Sequence, residues 1–330
     1  MTAPGPGSAS CLVVMYHYVR DAASTAFPGI RALSPERFER QLDWLQANYE
    51  IVDLARLDAA LNGGSPLPPA SALLTFDDGL VDHYEAVFPI LRDRGLSGVF
   101  FVSHGASGPA PQLLGVHKTQ FLLAALGGSA LARAVLAECE LAPGSGNGAG
   151  RAVFGADTWE DADDRAVKQL LNYELPFADA DRVLNALVSR HLGDAAAMAR
   201  SLYLDAGMIG EMVRGGMTFG YHTRSHRMLS RLESDAQVAE IAPGVAWIRE
   251  LTGQAGVPFC YPWGGPQTYT ADTVRILADS GYSLAFNTVR RRLQVGVDGR
   301  FEIPRFDTRD LPPHTSGEAA ASAPATTGEA

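Results

Sequence analysis

Residues 73–79 decide the fold of this chain, and they read Leu73-Leu74-Thr75-Phe76-Asp77-Asp78-Gly79. An apolar run typical of a strand ends in two adjacent aspartates and a glycine. Successive side chains of a strand face opposite sides, but at a strand end, where the chain starts to turn, both carboxylates can reach one pocket. One could then bind a metal ion while the other accepts a proton. A plain strand followed by an Asp-Gly turn explains the stretch equally well.

A second motif follows another apolar run, Met217–Tyr221, and reads His222-Thr223-Arg224-Ser225-His226. Two histidines four residues apart can reach one ion, although an isolated pair of this kind is weak evidence. Two imidazoles and one carboxylate suit a divalent ion with open positions, and imidazole favours zinc, copper, iron and nickel. Active sites of α/β barrels gather at strand ends, so both motifs are expected at one barrel mouth.

A third motif is again a short apolar run that ends in a Pro/Gly turn, Phe259-Cys260-Tyr261-Pro262-Trp263-Gly264-Gly265. A turn of this kind can direct a backbone N–H at a developing oxyanion. Without the other two motifs, an ordinary barrel loop is the better interpretation.

Taken in order, the three motifs resemble the T-F-D-D-G, H-[ST]-x-x-H and R-x-P-x-G blocks of the polysaccharide deacetylase family, carbohydrate esterase family four. The resemblance covers roughly residues 11–104 and 216–308 and includes Met15-Tyr16-His17-Tyr18-Val19 near the start. It implies an α/β fold, an irregular (β/α)7 deacetylase barrel, here with an α-helical insertion.

The resemblance also implies a role for each matched residue. Asp77 would be the general base, and Asp78, His222 and His226 would hold one divalent ion, first of all zinc, with cobalt, nickel or iron(II) as alternatives. Thr223 would lie beside the ion. The backbone N–H of Trp263, in the turn that follows Pro262, would help to stabilise the oxyanion.

The chain departs from the family pattern at two points. Cys260 stands where the family often has an arginine that pairs with the base, and we expect Arg305, near the last predicted strand, to replace it. The late histidine that serves the family as general acid has no match. Asp77 could return its proton, His17 at the end of the first predicted strand is the acid we favour, and His104 is a weaker candidate.

Composition excludes several classes of function. The chain has 330 residues, 46% of them hydrophobic, and a net charge of −10, which is typical of a globular protein and argues against nucleic acid and anionic membranes as partners. Three cysteines, widely spaced, imply no disulfide framework. We find no signal peptide and no long apolar run, so the expectation is a cytoplasmic protein without membrane insertion.

Strand and helix patterns alternate along the chain, which favours parallel strands joined by crossover helices. The predicted strands are Cys11–Val19, Ile51–Leu54, Ser71–Phe76, Gly98–Ser103, Ser283–Asn287 and Phe301–Phe306. The predicted helices begin at Ser34-Pro35 or cover Val81–Arg94 with a kink at Pro89, Ser234–Leu251 with a break at Pro243-Gly244, and Thr270–Ser280 closed by Gly281.

Residues 105–215 separate the two barrel parts, 1–104 and 216–309, and read as an α-helical insertion that could act as a lid, a substrate wall or a contact between copies in a homo-oligomer. Its opening residues His117 and Lys118 could meet an anionic group of the substrate, although a solvated helix start is the more frequent case. The predicted helices are Lys118–Leu126, Ala130–Glu140, Arg165–Leu171, Ala180–His191 and Ala195–Arg214. Ala142–Gly150 reads as a glycine-rich loop, Ala156–Asp164 as a solvated acidic face, and residues 310–330 as a disordered tail.

The function that these residues favour is a metal-dependent hydrolase that removes an N-acetyl group from a sugar, a sugar-containing small molecule or a glycan intermediate. A divalent ion lowers the pKa of a bound water to about 7, and a positioned base such as Asp77 adds roughly 100- to 10,000-fold in rate. The alternatives are a deformylase or cyclic-imide amidohydrolase on the same barrel, and a carbohydrate-binding relative that has lost catalysis. The lack of a signal peptide favours a soluble precursor over a finished polymer as substrate.

Overall fold

The computed structural model describes residues 10–139 and 162–313. The predicted glycine-rich loop, nearly all of the predicted acidic face and the predicted tail beyond residue 313 lie outside the described residues. The described residues divide into two compact units, of which the first contains 10–20, 32–109 and 203–313, and the second contains 21–31, 110–139 and 162–202.

The described part of the first unit is built on one sheet of nine strands. They are β1 (Ser10–Tyr16), β2 (Glu50–Ile51), β3 (Ser71–Phe76), β4 (Val99–Val102), β5 (Thr218–Tyr221), β6 (Phe259–Cys260), β7 (Ala285–Phe286), β8 (Leu293–Gln294) and β9 (Phe306–Asp307). Their order in the sheet is β7-β6-β5-β4-β3-β1-β8, with β2 beside β3 and β9 beside β1. Neighbouring strands are parallel, except that β8 runs antiparallel to β1.

Residues 303–307 close this sheet into a barrel. Ile303 bridges to Phe286 on β7, and three residues later Phe306 and Asp307 begin to pair with Val14 and Met15 on β1. The segment therefore joins the last strand of the series to the first. The predicted (β/α)7 barrel is confirmed.

Helices connect the strands of the first unit and also build the second unit. In chain order they are α1 (Pro35–Asn48), α2 (Leu54–Leu61), α3 (Phe88–Asp93), α4 (His104–Ser107), α5 (Gly115–Leu126), α6 (Gly128–Glu138), α7 (Ala162–Gln169), α8 (Phe177–His191), α9 (Ala195–Leu202), α10 (Ala206–Arg214), α11 (Ser234–Ile241), α12 (Pro243–Thr252) and α13 (Ala271–Asp279). None of the helices within the described ranges is long and apolar enough to cross a membrane.

Because side chains alternate between the two faces of a strand, the buried residues of the sheet form two separate clusters. On β1, Cys11 and Val13 belong to one buried cluster, whereas Leu12, Val14 and Tyr16 belong to another. The first cluster also collects residues of β3, β4, β6 and β7 and fills the inside of the barrel, while the second packs the strands against the surrounding helices. Because side chains alternate along a strand, residues that follow Val13 and Leu73 by even numbers face the inside, up to the ends of β1 and β3.

Several predicted elements are shorter or divided in the structure. Asp53 caps α2, so the predicted strand 51–54 ends after Ile51. Pro304 has no backbone N–H to donate, and the predicted strand 301–306 is reduced to a bridge at Ile303 and the short β9. The predicted strand 283–287 retains only Ala285–Phe286.

Two predicted helices also differ. The single helix predicted over 195–214 is two helices. The Leu204 N–H donates to the Gly79 carbonyl at 2.8 Å instead of continuing the helix, and Asp205 starts α10 as its N-cap. The kink predicted at Pro89 takes the form of a π turn, His83–Val87, that leads into α3. Proline cannot donate the hydrogen bond of a regular helix, which explains the wider turn.

The second unit contains helices α5 to α9 and no strand among its described residues. It begins later and ends earlier than the predicted insertion 105–215, because α4 and α10 belong to the barrel unit. It also includes Asp21–Arg31, where Phe27 packs its ring edge-on against Phe121 at 4.8 Å. The roles predicted for the insertion, as a lid, wall or oligomer contact, stay predictions.

Candidate functional site

Strand register sets His17 beside Asp77. β1 and β3 pair in parallel from Cys11 opposite Ser71 to Tyr16 opposite Phe76, and the Asp77 N–H donates to the Tyr16 carbonyl at 2.9 Å. The next residues of both strands therefore emerge side by side at the barrel mouth. Nε2 of His17 lies 3.9 Å from Oδ2 of Asp77.

The three predicted ligands, Asp78, His222 and His226, meet at this mouth. Oδ1 of Asp78 lies 3.5 Å from Nε2 of His222 and 3.3 Å from Nε2 of His226. All three residues are buried, and their donor atoms lie within 4.8 Å of one another. One carboxylate oxygen and two imidazole nitrogens at these separations could hold one divalent ion.

The hydrogen bonding of His222 fits such an ion. Nδ1 of His222 lies 2.8 Å from the Cys260 carbonyl, which can only accept, so Nδ1 carries the proton and donates. Nε2 then has its lone pair free for a metal and points towards Asp78. A histidine ligand whose other nitrogen donates to a backbone carbonyl is the usual arrangement at protein metal sites.

A second group of potential ligands, Asp77, His222 and Cys260, is also close enough for a metal ion. Arg305 makes this group a poor cation site. Its guanidinium donates to both carboxylate oxygens of Asp77 at 2.8 Å and lies 3.0 Å from the Cys260 sulfur. A positive charge already occupies the position, so the group with Asp78 is the candidate metal centre.

Arg305 is the partner predicted for Asp77, and in the structure the two side chains pair. The side chain is buried, and besides the two bonds to Asp77 it donates to the Asn287 carbonyl at 2.9 Å and to the Thr75 hydroxyl at 3.1 Å. The small Cys260, where the family often has arginine, leaves room for this guanidinium, which arrives from the segment that closes the barrel.

The pair fixes the charge of Asp77. Burial by itself would raise the pKa of this carboxyl, but the charge and hydrogen bonds of Arg305 outweigh burial, with smaller contributions from His222 and His17, and lower the pKa to about 2. Asp77 is thus ionised at neutral pH. Burial raises the pKa of the Cys260 thiol, which stays protonated and donates weakly to Asp77 at 3.4 Å.

The segment that carries His17 is anchored from the helix after β3. The buried Asp82 carboxylate accepts the Val19 N–H at 3.0 Å and binds the guanidinium of Arg20. Nε2 of His83 lies 3.0 Å from the His17 carbonyl and donates to it. These contacts hold the backbone while the His17 side chain stays 40% exposed at the mouth.

The remaining predicted site residues of the barrel lie around the same mouth. Thr223 is buried, and its hydroxyl accepts the His226 N–H at 3.0 Å, which closes the turn between the two histidines. Pro262 is buried, and the ring of Trp263 lies 5.7 Å from that of His226. The roles of Thr223, Pro262 and Trp263 towards substrate or oxyanion stay predictions.

Two further histidines are among the predicted candidates. His117 is buried on α5 in the second unit, and its predicted contact with substrate stays a prediction. His104 begins α4, where its ring packs against Trp247 at 4.8 Å. Burial lowers the pKa of His104.

Left-handed backbone marks the site and is invisible in the sequence patterns. Among the described residues, the non-glycine residues with positive φ are Asp78 (76°), Thr223 (62°), His226 (58°) and Trp263 (67°). Such conformations cost about 1–3 kcal/mol each and persist only where surrounding contacts impose them. All four positions belong to the three motifs.

Sequence reasoning missed the residues that impose this backbone. Ser103 donates its hydroxyl to the His222 carbonyl at 2.8 Å, and Glu240 on α11 accepts hydrogen bonds from the loop between the histidines. Neither residue lies in a motif, and Glu240 is separated from its partner Ser225 by fifteen positions. Asp82, which anchors the His17 segment, could have been found more easily because it lies only three residues after the first motif.

Comparison with known proteins agrees with this geometry. The family model described as polysaccharide deacetylase matches residues 64–118 and 180–285. A curated relative, the poly-beta-1,6-N-acetyl-D-glucosamine N-deacetylase of Escherichia coli K12, is 39% identical over 83 residues, which is 24% of this chain. The match spans only 12% of the length of that relative.

Solved structures share the fold over nearly the whole chain. The deacetylase PplD of Streptococcus pyogenes, solved in complex with acetate, superposes with a TM-score of 0.56 and 18% identity and covers 93% of this chain and 95% of its own. IcaB from Ammonifex degensii superposes with a TM-score of 0.55 and 21% identity, over 91% of each chain.

Proposed function

The chain belongs to the polysaccharide deacetylase family, and on this premise we propose that it is a metal-dependent hydrolase that removes the N-acetyl group from an N-acetylated sugar. The observation that carries the proposal is the convergence of Asp77, paired with Arg305, and the ligand group Asp78, His222 and His226 at one barrel mouth. A decayed, carbohydrate-binding relative would not need a buried, ionised base beside a complete ligand group.

The donor set supports a single divalent ion on Asp78, His222 and His226. Two imidazoles and one carboxylate are a ligand group found at catalytic zinc sites, and cobalt, nickel or iron(II) fit the same donors. When bound, the ion supplies activation of water and polarisation of the acyl carbonyl.

The chain's own residues then carry the proton transfers. Asp77 accepts a proton from the attacking water, and Arg305 keeps that carboxylate ionised and fixes its orientation. The amine leaving group needs a proton, and His17 is the donor we propose because its exposed ring stands 3.9 Å from Asp77. The backbone at Trp263 is the proposed oxyanion donor.

The proposed substrate is an N-acetylated glycan. The relative from Escherichia coli is named for a poly-N-acetylglucosamine, so oligomers of this sugar are the first candidates. This choice replaces the soluble precursor favoured by the sequence alone, because the relative is named for a polymer.

Acetate release tests the proposal. Purified protein is incubated with β-1,6- and β-1,4-linked N-acetylglucosamine oligomers, with the monosaccharide and with N-formylated analogues, each with zinc, cobalt or nickel added or with a chelator. Metal-dependent release of acetate from the oligomers is expected. Preferential release of formate supports the deformylase alternative, and binding without release of either acid contradicts a catalytic role.

The role of His17 has its own test. His17→Ala should lower turnover on acetamides about 100-fold or more, because an amine leaves only after protonation. Turnover on an activated acetate ester should fall far less, since its leaving group needs no proton. His104→Ala is the matched control and should leave the amide-to-ester ratio unchanged. Equal losses on amide and ester for His17→Ala would assign this residue a structural role.

A further inference from the structure

The loop between the two histidines adopts a conformation that it would not hold by itself. Thr223 and His226 both have left-handed backbone, at φ 62° and 58°, which disfavours side chains with a Cβ. Both imidazole nitrogens of the candidate metal centre depend on this backbone for their direction. Some contact outside the loop must therefore stabilise it.

Glu240 supplies the largest set of contacts from outside the loop among the described residues. One carboxylate oxygen accepts the N–H groups of Arg224 at 3.0 Å and Ser225 at 2.8 Å, and the other accepts the Ser225 hydroxyl at 2.5 Å. The Arg224 N–H also reaches the Glu240 backbone carbonyl at 3.1 Å. The carboxylate thus binds Arg224 and Ser225, the two residues at the centre of the loop.

The charge of Glu240 is used differently from those of the buried acids Asp77 and Asp82. Asp77 and Asp82 each bind an arginine guanidinium, whereas the three hydrogen bonds to the Glu240 carboxylate come from neutral groups. Hydrogen bonds to a carboxylate are stronger than those between neutral groups, and a side chain only 9% exposed makes them stronger still. Burying a carboxylate costs free energy, and the three hydrogen bonds to the loop offset that cost.

We infer that Glu240 is a positioning residue for the metal centre, which holds the 222–226 loop so that Nε2 of His222 and Nε2 of His226 converge with Asp78. The inference rests on the proposed metal site. Residues that orient metal ligands typically change metal affinity by 10- to 100-fold when they are replaced. Glu240 belongs to neither group of potential ligands and acts only through the loop.

Zinc affinity, measured by competition with a chromogenic chelator, tests the inference without any assay of activity. Glu240→Gln keeps the length of the side chain but loses the charge and one acceptor, and we expect about tenfold weaker zinc binding. Glu240→Ala should weaken it by up to about 100-fold. Glu250→Gln, an exposed residue on α12, is the matched control and should bind zinc like the unaltered protein.

Two further measurements separate positioning from mere stability. The melting temperature of each variant is recorded with a chelator present, so that a variant that does not fold is recognised. Ser225→Ala removes one of the three bonds and serves if Glu240→Ala fails to fold; it should weaken zinc binding less than Glu240→Gln, and the double variant should lose less than the sum of the two free-energy changes.

The outcomes distinguish this inference from the proposed function. Folded Glu240→Gln and Ser225→Ala proteins that both bind zinc within twofold of the unaltered chain overturn the inference, even if the unaltered chain releases acetate. Zinc binding that depends on Glu240 in a chain that releases no acetate supports the inference and contradicts the proposed function alone.

Discussion

Asp77 and Asp78 are chain neighbours with different surroundings. Asp77 continues the inward-facing series of β3 and meets Arg305, whereas the left-handed backbone of Asp78 turns its carboxylate towards the two histidines. One residue thus receives a fixed positive charge that keeps it ionised, and the other lies within reach of an ion. Substitution of Asp77 should therefore lower turnover, whereas substitution of Asp78 should weaken metal binding.

Asp77→Asn should retain zinc and lose turnover by about 100- to 10,000-fold, because it removes a base and not a ligand. Asp78→Asn should lose zinc first, because an amide oxygen is a weaker ligand than a carboxylate. Zinc per chain by mass spectrometry and acetate release on the same samples separate the two. An Asp77→Asn enzyme with near-normal turnover would remove Asp77 from the role of base.

Arg305→Met should lower the free energy of unfolding by about 3–5 kcal/mol, because it leaves Asp77 buried without its partner. Chemical denaturation of the metal-free proteins measures the change. Arg40→Met, which breaks an exposed pair with Glu36, is the control and should cost less than about 1 kcal/mol. Similar losses for both variants would show that the buried pair contributes no more than a surface pair.

Motifs with fixed spacing could be predicted residue by residue from the sequence. The ligand group and the base follow from two short motifs, and Arg305 could be predicted because it lies near a strand end that faces the same mouth. Glu240 and Asp82 could not, since their partners Ser225 and Val19 are brought to them only by the folded barrel.

At the scale of elements, the π turn before α3 is the connection between the first motif and the His17 segment. It buries His83 beside the rings of Phe76 and Phe100, whose centroids lie 5.7 and 5.6 Å from the centroid of the imidazole. The imidazole donates to the His17 carbonyl. The other nitrogen, Nδ1, has no hydrogen-bond partner among the described residues. Burial lowers the pKa of His83 from 6.5 to about 4.

This shift makes stability depend on pH through His83. The folded state disfavours the protonated ring, so the stabilisation is complete above pH 6.5 and is lost as the pH falls from 6.5 towards 4, by up to about 3 kcal/mol. His83→Gln should flatten the curve of unfolding free energy against pH in this window. The control His191→Gln, on the surface end of α8, should retain the slope; an unchanged slope in His83→Gln would assign the pH dependence to other groups.

The bounds of long, periodic elements were predictable, whereas short strands were predicted in place but not in length. Helix α1 begins, and α11, α12 and α13 begin and end, close to their predicted positions because caps, Pro243 and Gly281 leave a local signal. Strands of two residues, such as β6, β7 and β9, carry too few side chains for a period and are defined by pairing partners far away in the chain.

At the scale of the whole molecule, metal binding should couple to folding. A ligand that binds only the folded state at 100 times its Kd adds about 2.7 kcal/mol of stability. Zinc should therefore raise the melting temperature of the unaltered chain by several degrees, and a chelator should reverse the rise. His222→Ala and His226→Ala should abolish it, whereas a persistent zinc-dependent rise in the double alanine variant would contradict the assigned ligands.

The division into units could be predicted only in part. A helical segment between two barrel parts follows from composition and from the spacing of the motifs. The assignment of Asp21–Arg31 to the helical unit, and of α10 to the barrel, depends on packing between distant segments such as Phe27 against Phe121. No local pattern near residue 21 announces such a contact.

The pairing of Asp77 with Arg305 has a consequence for the order of synthesis. The two residues are 228 positions apart, and the guanidinium lies in the segment that closes the barrel. During translation the carboxylate is made long before its partner, and burying it alone is costly. The mouth of the barrel therefore cannot be completed before residue 305 is available, and a chain truncated before residue 305 could not close around its own base.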